Sequence, residues 1–206
     1  MLFTDFSTNY EIVVNPELPG TGNWGITEVY VPHGFKPRPI GGHLILKLKI
    51  GDAWQVWHVA STENSEVWAT PDPDRILIVG LEGLLYVSVK DPESVIQIKQ
   101  YGLQVRPVKE RGMLLLHDYF GVMALDSSGI RWQAPGLVDD DLAITAIEGN
   151  SIRCTGFSLR DIDEKVRIVL DLTTGAVVHE DKPARRGVYL RSIRSRLASI
   201  TKRSAR

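Results

Sequence analysis

One pattern occurs twice in this chain and constrains its fold more than any other. Segments 122–132 (VMALDSSGIRW) and 168–178 (IVLDLTTGAVV) each run from an apolar stretch through an Asp and a step of two or three residues to a Gly, after which apolar chain resumes. Apolar and β-branched residues favour strands, and Asp and Gly supply a turn that other residues make poorly, so each copy predicts a β-hairpin. Neither copy carries a paired base, a nucleophile or a ligand set. The motif therefore speaks for a β-rich architecture and is silent on chemistry.

The same grammar extends along the chain. Leu44, Leu46, Leu48 and Ile50 alternate with Ile45, Lys47 and Lys49, which predicts a strand with one buried and one largely wet face. Gly51 and Asp52 turn it back into a return strand that carries Trp54, Val56, Trp57 and Val59. Runs 75–80 and 84–90 flank Leu81, Glu82 and Gly83, and runs 113–117 and 122–125 flank 118–121. Aligning Ile76 with Leu114 and Gly83 with Gly121 gives a displacement of 38, and Asp126 to Asp171 is a displacement of 45. Spacings near 40 are those of propeller blades, each a four-stranded antiparallel sheet. A closed ring of four blades needs about 160–180 residues, and only 42–178 looks repetitive. The expected fold is all-β: an antiparallel meander, irregular or incomplete and β-propeller-like, with a β-sandwich or open barrel as the alternative. A short helix is expected in the tail, where Leu190, Ile193, Leu197 and Ile200 fall at helical spacing.

Charge divides the chain more sharply than its overall −1 suggests. Residues 185–206 hold eight Lys and Arg and no acid, whereas the preceding 184 residues hold 16 bases against all 25 acids. The expected organisation is one β-rich domain over 1–184, with a Pro- and Gly-rich, loop-rich start over 1–41 that holds short strands at 10–14 and 26–31, followed by a basic tail over 185–206. The lone Cys154 forms no disulfide within the chain, the N-terminal residues lack a basic-then-apolar secretory pattern, and no apolar run approaches the roughly 20 residues of a membrane span. A soluble cytoplasmic protein is the expectation.

From 67 to 178 the sequence resembles a group of uncharacterised bacterial proteins with propeller-like β repeats. The resemblance rests on the apolar strand Leu114–Leu116, Asp126 to Gly129, Trp132, the Asp141-Leu142 step, and Asp171 to Gly175. Where that group carries an aromatic and an acid after the position of Gly156, this chain has Phe157 and Ser158. The resemblance implies a fold and no activity.

Each candidate site competes with a plainer reading. Segment 20–25 (GTGNWG) satisfies the G-x-G-x-x-G pattern, yet strand-like chain follows it, so no helix N-terminus is available to a phosphate. His33, His43, His58, His117 and His179 show no metal-ligand spacing, and His117 and Asp118, adjacent on a strand, point to opposite faces. Asp139, Asp140 and Asp141 lack the alternation and Gly of a calcium loop and read as a solvated turn. Cys154 reads as a buried small residue beside Arg153 on the opposite face. Four of the five Trp read as core or blade-packing residues.

No metal, cofactor or catalytic residue is expected, and a non-enzymatic binding module for a protein partner is favoured over an enzyme with an acid/His site. Its candidate contacts are Asn23, Trp24, His33 and Phe35, in the loops of 20–42, with Arg191 and Arg194 in the tail. The basic amphipathic tail is expected to pack its apolar stripe on the β body, its arginines against the body's net acid; contact with anionic lipid or nucleic acid is the alternative, and no aromatic residue is interleaved after Tyr189 for base stacking.

Overall fold

A computed structural model describes residues 1–17, 26–37, 42–81, 83–158 and 161–181, and the statements below concern those residues. In chain order the strands are β1 (Leu2–Phe3), β2 (Tyr10–Val14), β3 (Thr27–Val31), β4 (Leu44–Ile50) and β5 (Ala53–Val59), then β6 (Glu66–Ala69), β7 (Arg75–Gly80), β8 (Gly83–Ser88) and β9 (Val95–Ile98). They continue with β10 (Gln104–Val108), β11 (Met113–His117), β12 (Val122–Asp126), β13 (Gly129–Ala134), β14 (Asp140–Glu148), β15 (Ser151–Ser158), β16 (Asp161–Asp171) and β17 (Val177–Asp181). They form four sheets, ordered β2-β4-β5-β3, β1-β6-β7-β8-β9, β10-β11-β12-β13 and β14-β15-β16-β17. The last two are pure antiparallel meanders. Parallel pairs occur in the first two sheets, where β3 lies beside β5 and β1 beside β6.

Side-chain alternation explains how the sheets stack. Successive residues of a strand point to opposite faces. In β7 and β8, Ile76, Ile78, Leu85 and Val87 join Leu44, Leu46, Leu48 and Trp57 of the first sheet in one buried cluster. Their neighbours Leu77, Val79, Leu84 and Tyr86 turn the other way, against Leu114, Leu116, Met123 and Leu125 of the third sheet. The remaining third-sheet residues, Met113, Leu115, Val122 and Ala124, meet Ile144, Ile152, Cys154 and Ile168 of the fourth. The inner strands of the two middle sheets, β7, β8, β11 and β12, thus have no wet face, which is why they read as unbroken apolar runs. The end sheets keep the alternation, with Lys47 and Lys49 on the outer face of the first and Arg153 and Arg167 on that of the fourth. No buried cluster joins the fourth sheet to the first.

This is an all-β, propeller-like arrangement of three four-stranded sheets and one five-stranded sheet. The 38-residue displacement maps β7 onto β11 and β8 onto β12 in adjacent sheets, and both copies of the repeated motif are hairpins, β12–β13 and β16–β17. The proposed tail helix lies outside the described residues.

The two motif copies also hold each other. Asp126 Oδ1 accepts from the Ser128 amide (2.8 Å) and hydroxyl (2.6 Å), and Asp171 Oδ1 accepts from the Thr173 (2.9 Å) and Thr174 (2.8 Å) amides. Hydrogen bonds from the Ser128 and Thr174 side chains, first among several, hold the two carboxyls below the usual carboxylate range. Arg131 bridges the copies: its Nη1 donates to Asp126 Oδ2 (2.9 Å) and its Nε to the Thr173 carbonyl (3.0 Å). Buried Trp132 donates from Nε1 to the Leu172 carbonyl (3.0 Å).

Gly175 has φ +71°, and a Cβ there would lie 2.5 Å from Trp132 Cε3. Gly149 shares the left-handed backbone (φ +58°) with open space around it. Gly149→Ala is expected to cost about 1–2 kcal/mol from backbone strain alone. Gly175→Ala should cost about 1–3 kcal/mol more, because the indole must move as well. Chemical denaturation of the two variants measures the difference, and equal losses would remove the Trp132 contact from the account.

Candidate functional site

Strand β3 forms an outer edge of the first sheet, and the site is built on it. In the parallel pair with β5, the Ala60 amide donates to the Val31 carbonyl (2.7 Å), so Thr27, Val29 and Val31 turn their backbone groups towards β5. By the same geometry the amides and carbonyls of Glu28 and Tyr30 point away from the sheet. After β3 the chain turns through His33 and Gly34, where φ is +81°, and the Phe35 amide donates to the Pro32 carbonyl (3.0 Å).

Register brings four rings into a row on the outer face of this sheet. Tyr30 pairs with His58 across the parallel ladder and stacks on it at 5.0 Å between centroids. His58 Nδ1 lies 2.9 Å from His43 Nε2, and Phe35 meets His43 edge-on at 6.1 Å. Tyr30 donates from its hydroxyl to Glu28 Oε2 (2.9 Å), and this hydrogen bond is the main cause that raises its phenol pKa. The same carboxylate oxygen is 3.9 Å from His58 Nε2. His33 Nδ1 faces Glu93 Oε1 at 3.7 Å.

Between β3, the 33–37 turn and the Pro92–Glu93 corner of the second sheet lies an open cleft of about 650 Å³, lined by Glu28, Tyr30, His33, Phe35, Pro37 and Pro92 among others. Its chemistry is that of recognition. Aromatic and proline surfaces offer apolar contact, two carboxylates and an imidazole stand at the rim, and the ring faces can hold a cation. A hydrogen bond between two imidazoles needs one donor and one acceptor, so the His43–His58 contact survives one added proton and not two. No group of three or more His, Cys, Asp or Glu is placed to hold a metal among the described residues.

Of the residues singled out from sequence, His33 and Phe35 line the cleft, whereas Asn23, Trp24, Arg191 and Arg194, and segment 20–25, lie outside the described residues. Residues weighed for acid/base chemistry are spread over three sheets. His58 is in the first, His117 and Asp118 end β11 in the third, and Asp139 to Asp141 open the fourth. Buried Asp118 is occupied by its own turn, accepting from the Phe120 (2.9 Å) and Gly121 (2.7 Å) amides and from Gln100 Nε2. Asp140 and Asp141 correct the expected turn, for they begin β14, with Asp141 at φ +52° beside a register shift.

Burial pushes the Cys154 thiol up to about 12, and exposed Arg153 turns away to pair with Glu148 (2.8 Å). Trp57, Trp68 and Trp132 are buried, as core Trp should be. Trp54 departs from that expectation and lies on the outer face of the first sheet, with Lys47 Nζ 4.6 Å from its ring centre.

Sequence reasoning missed Glu28, Tyr30, His43, His58, Pro92 and Glu93 as cleft or ring-row residues. Part of the signal was present: the Gly51–Asp52 turn fixes the β4–β5 register, which pairs Ile45 with His58 and brings His43 within one diagonal step. The parallel pairing that lays Tyr30 on His58 has no local signature.

No protein family matches the sequence, and no curated protein does. Among solved structures the chain is similar to BamB from Moraxella catarrhalis, at 13% identity and TM-score 0.36 over 74% of this chain and 50% of that one. It is also similar to a functionally unknown protein from Desulfotomaculum acetoxidans DSM 771, at 12% identity and TM-score 0.31 over 68% of this chain and 54% of that one. The chain spans about half the length of both. Among the described residues no helix is long and apolar enough to cross a membrane.

Two imidazoles give a pH prediction. Desolvation lowers the pKa of His43, with the neighbouring His58 adding to it, and desolvation lowers that of His117, whose Nδ1 has no hydrogen-bond partner. A base whose folded pKa lies below its unfolded value of about 6.5 binds fewer protons when folded. Its contribution is therefore complete above about pH 6.5 and is lost as pH falls through the unfolded value towards the folded one. Thermal unfolding between about pH 7.5 and 5.5 should show stability falling with acid, and falling less steeply in His43→Gln and in His117→Leu. Unchanged slopes in both variants would assign the acid loss to other groups.

Proposed function

We propose that this chain is a non-enzymatic binding module that captures a protein partner in the cleft beside β3. The observation that carries this reading is the pairing of an open cleft with an aromatic and proline lining and a strand edge, on a face where the sheet stack ends. Rigid sheets present the 33–37 turn as a fixed surface, and such turns carry binding more often than the strands that support them. Glu28 and Glu93 give the rim acidic groups, and Tyr30, Phe35, Pro37 and Pro92 give an extended segment something to pack against. The distance between the His58 and His117 neighbourhoods, in different sheets, speaks against a shared acid/His active site.

The test places a photo-crosslinking amino acid at position 35 of the full chain in its native cells and identifies adducts by mass spectrometry. The expected result is one recurrent protein adduct that falls by about tenfold in Tyr30→Ala, as loss of a central aromatic contact costs an interface. The unfolding temperature of that variant should stay close to the parent's, since Tyr30 is 38% exposed. Adducts that are diverse, or indifferent to Tyr30→Ala, would count against the cleft.

A further inference from the structure

One side of the sheet stack, at the strand ends, exposes large apolar side chains on connecting loops. Tyr101 is 71% exposed, and Tyr119 and Phe120 are 47% exposed each. Their loops touch: Gly102 packs under the Tyr119 ring, Tyr119 and Phe120 lie edge to face at 6.2 Å, and the Tyr119 and Phe120 carbonyls accept from the Leu142 (3.0 Å) and Leu137 (2.8 Å) amides. Isolated exposed aromatics are ordinary, but a connected group on one face marks a surface made to be covered. Acid borders this one. The Leu142 amide that reaches Tyr119 follows directly on Asp139, Asp140 and Asp141, all exposed, with Lys165 Nζ 3.9 Å from Asp141 Oδ2. An apolar surface with an acidic border fits a ligand that combines apolar and basic side chains.

The chain itself contains such a segment. Residues 185–206 carry eight bases and no acid, with Leu190, Ile193, Leu197 and Ile200 interspersed. The preceding strand delivers the chain to this side. In β17, Asp181 pairs with Arg167, Arg167 with Thr155, and Thr155 with Ala143, two residues beyond Asp141. Strand β17 runs towards the end of the sheet where β14 begins, and three strand spacings separate the two, roughly 14 Å. Four or five extended residues after Asp181 cover about that distance, so the chain reaches the acidic border by about residue 186, with the rest of the segment left to lie along it.

We propose that the aromatic, acid-bordered loop surface at the strand ends, centred on Tyr119 and Phe120, is the docking surface for the basic segment 185–206 of the same chain. The segment's charge opposes that of the body, so docking is salt-sensitive. While docked, its arginines are withheld from anionic lipid or nucleic acid.

The test uses the full chain with p-benzoylphenylalanine replacing Phe120, irradiated as an equal mixture of isotope-labelled and unlabelled protein. The expected adducts join residue 120 to peptides within 185–206 of the same isotope class. They should fall by about fivefold or more in about 0.5 M salt, as screening of exposed charges requires, and by a similar factor in Arg191→Glu/Arg194→Glu/Arg196→Glu. Adducts of mixed isotope class would give the surface to a second copy and overturn the proposal. So would adducts outside 185–206, adducts indifferent to charge reversal, or their absence. The position-35 experiment reads a different surface, so failure here leaves the cleft standing and failure there leaves this docking standing.

Discussion

The structure depends on two sheets that are buried on both sides. Each interior strand, β7, β8, β11 and β12, sends alternate side chains into two different clusters, so the four sheets are held by three apolar seams rather than by one core. That arrangement removes a common safeguard. Where one face is wet, a one-residue slip in register moves every apolar side chain into water and is rejected. In a strand such as Leu114–Leu116 a slip exchanges one apolar seam for another, so burial alone specifies register weakly. The polar residues at the corners then acquire their purpose. Asp118, Asp126 and Asp171 each accept from amides of their own turns, and Trp132 and Arg131 fasten the third sheet's hairpin to the fourth's by hydrogen bonds to two specified carbonyls. Turn chemistry sets what hydrophobicity leaves open.

The same division explains what could be read from the amino-acid order. The hairpins at Gly51 and Gly129 and the equivalence of β7 with β11 are local or periodic features, and both survive in the structure. Strands β9, β10 and β14 escaped notice because each has exposed or half-buried positions and little alternation, and β14 opens on two consecutive acids directly after Asp139. Within the Pro- and Gly-rich first forty residues, 10–14 and 26–31 read as short strands, and they are β2 and β3, which close both edges of the first sheet. Their partners, β4 and β5, lie far along the chain, and no pattern in 10–14 or 27–31 announces them.

The candidate cleft was legible only where a single loop decided it. His33 and Phe35 stood out because they sit between Pro and Gly in a stretch that must turn. Tyr30, His43 and His58 come from three separate elements, and the parallel β3–β5 ladder assembles them. This ladder is also where the sheet departs from the meander of its neighbours. In the third and fourth sheets each edge strand is joined by a tight turn to the strand beside it, which leaves little room for a cleft at that corner. In the first sheet the 33–37 turn leaves β3 on a longer path before β4 begins, and the corner around Pro92 of the second sheet faces the opening.

Order along the stack separates three kinds of surface. Away from the ring row beside β3, the outer faces of the end sheets carry long charged side chains that oppose tight packing: Lys47 lies over Trp54, Lys49 pairs with Glu11 at 3.0 Å, and Arg153 pairs with Glu148. Such pairs stabilise little, but they keep a flat sheet face solvated and so oppose continued stacking of sheet upon sheet. Aromatic side chains are instead gathered at the β3 cleft, beside an edge strand, and at the loops around Tyr119, at the strand ends. A molecule that ends its stack with charge and leaves its aromatics at the periphery keeps recognition separate from self-association, and the sequence encodes both with the residues that alternate out of the core.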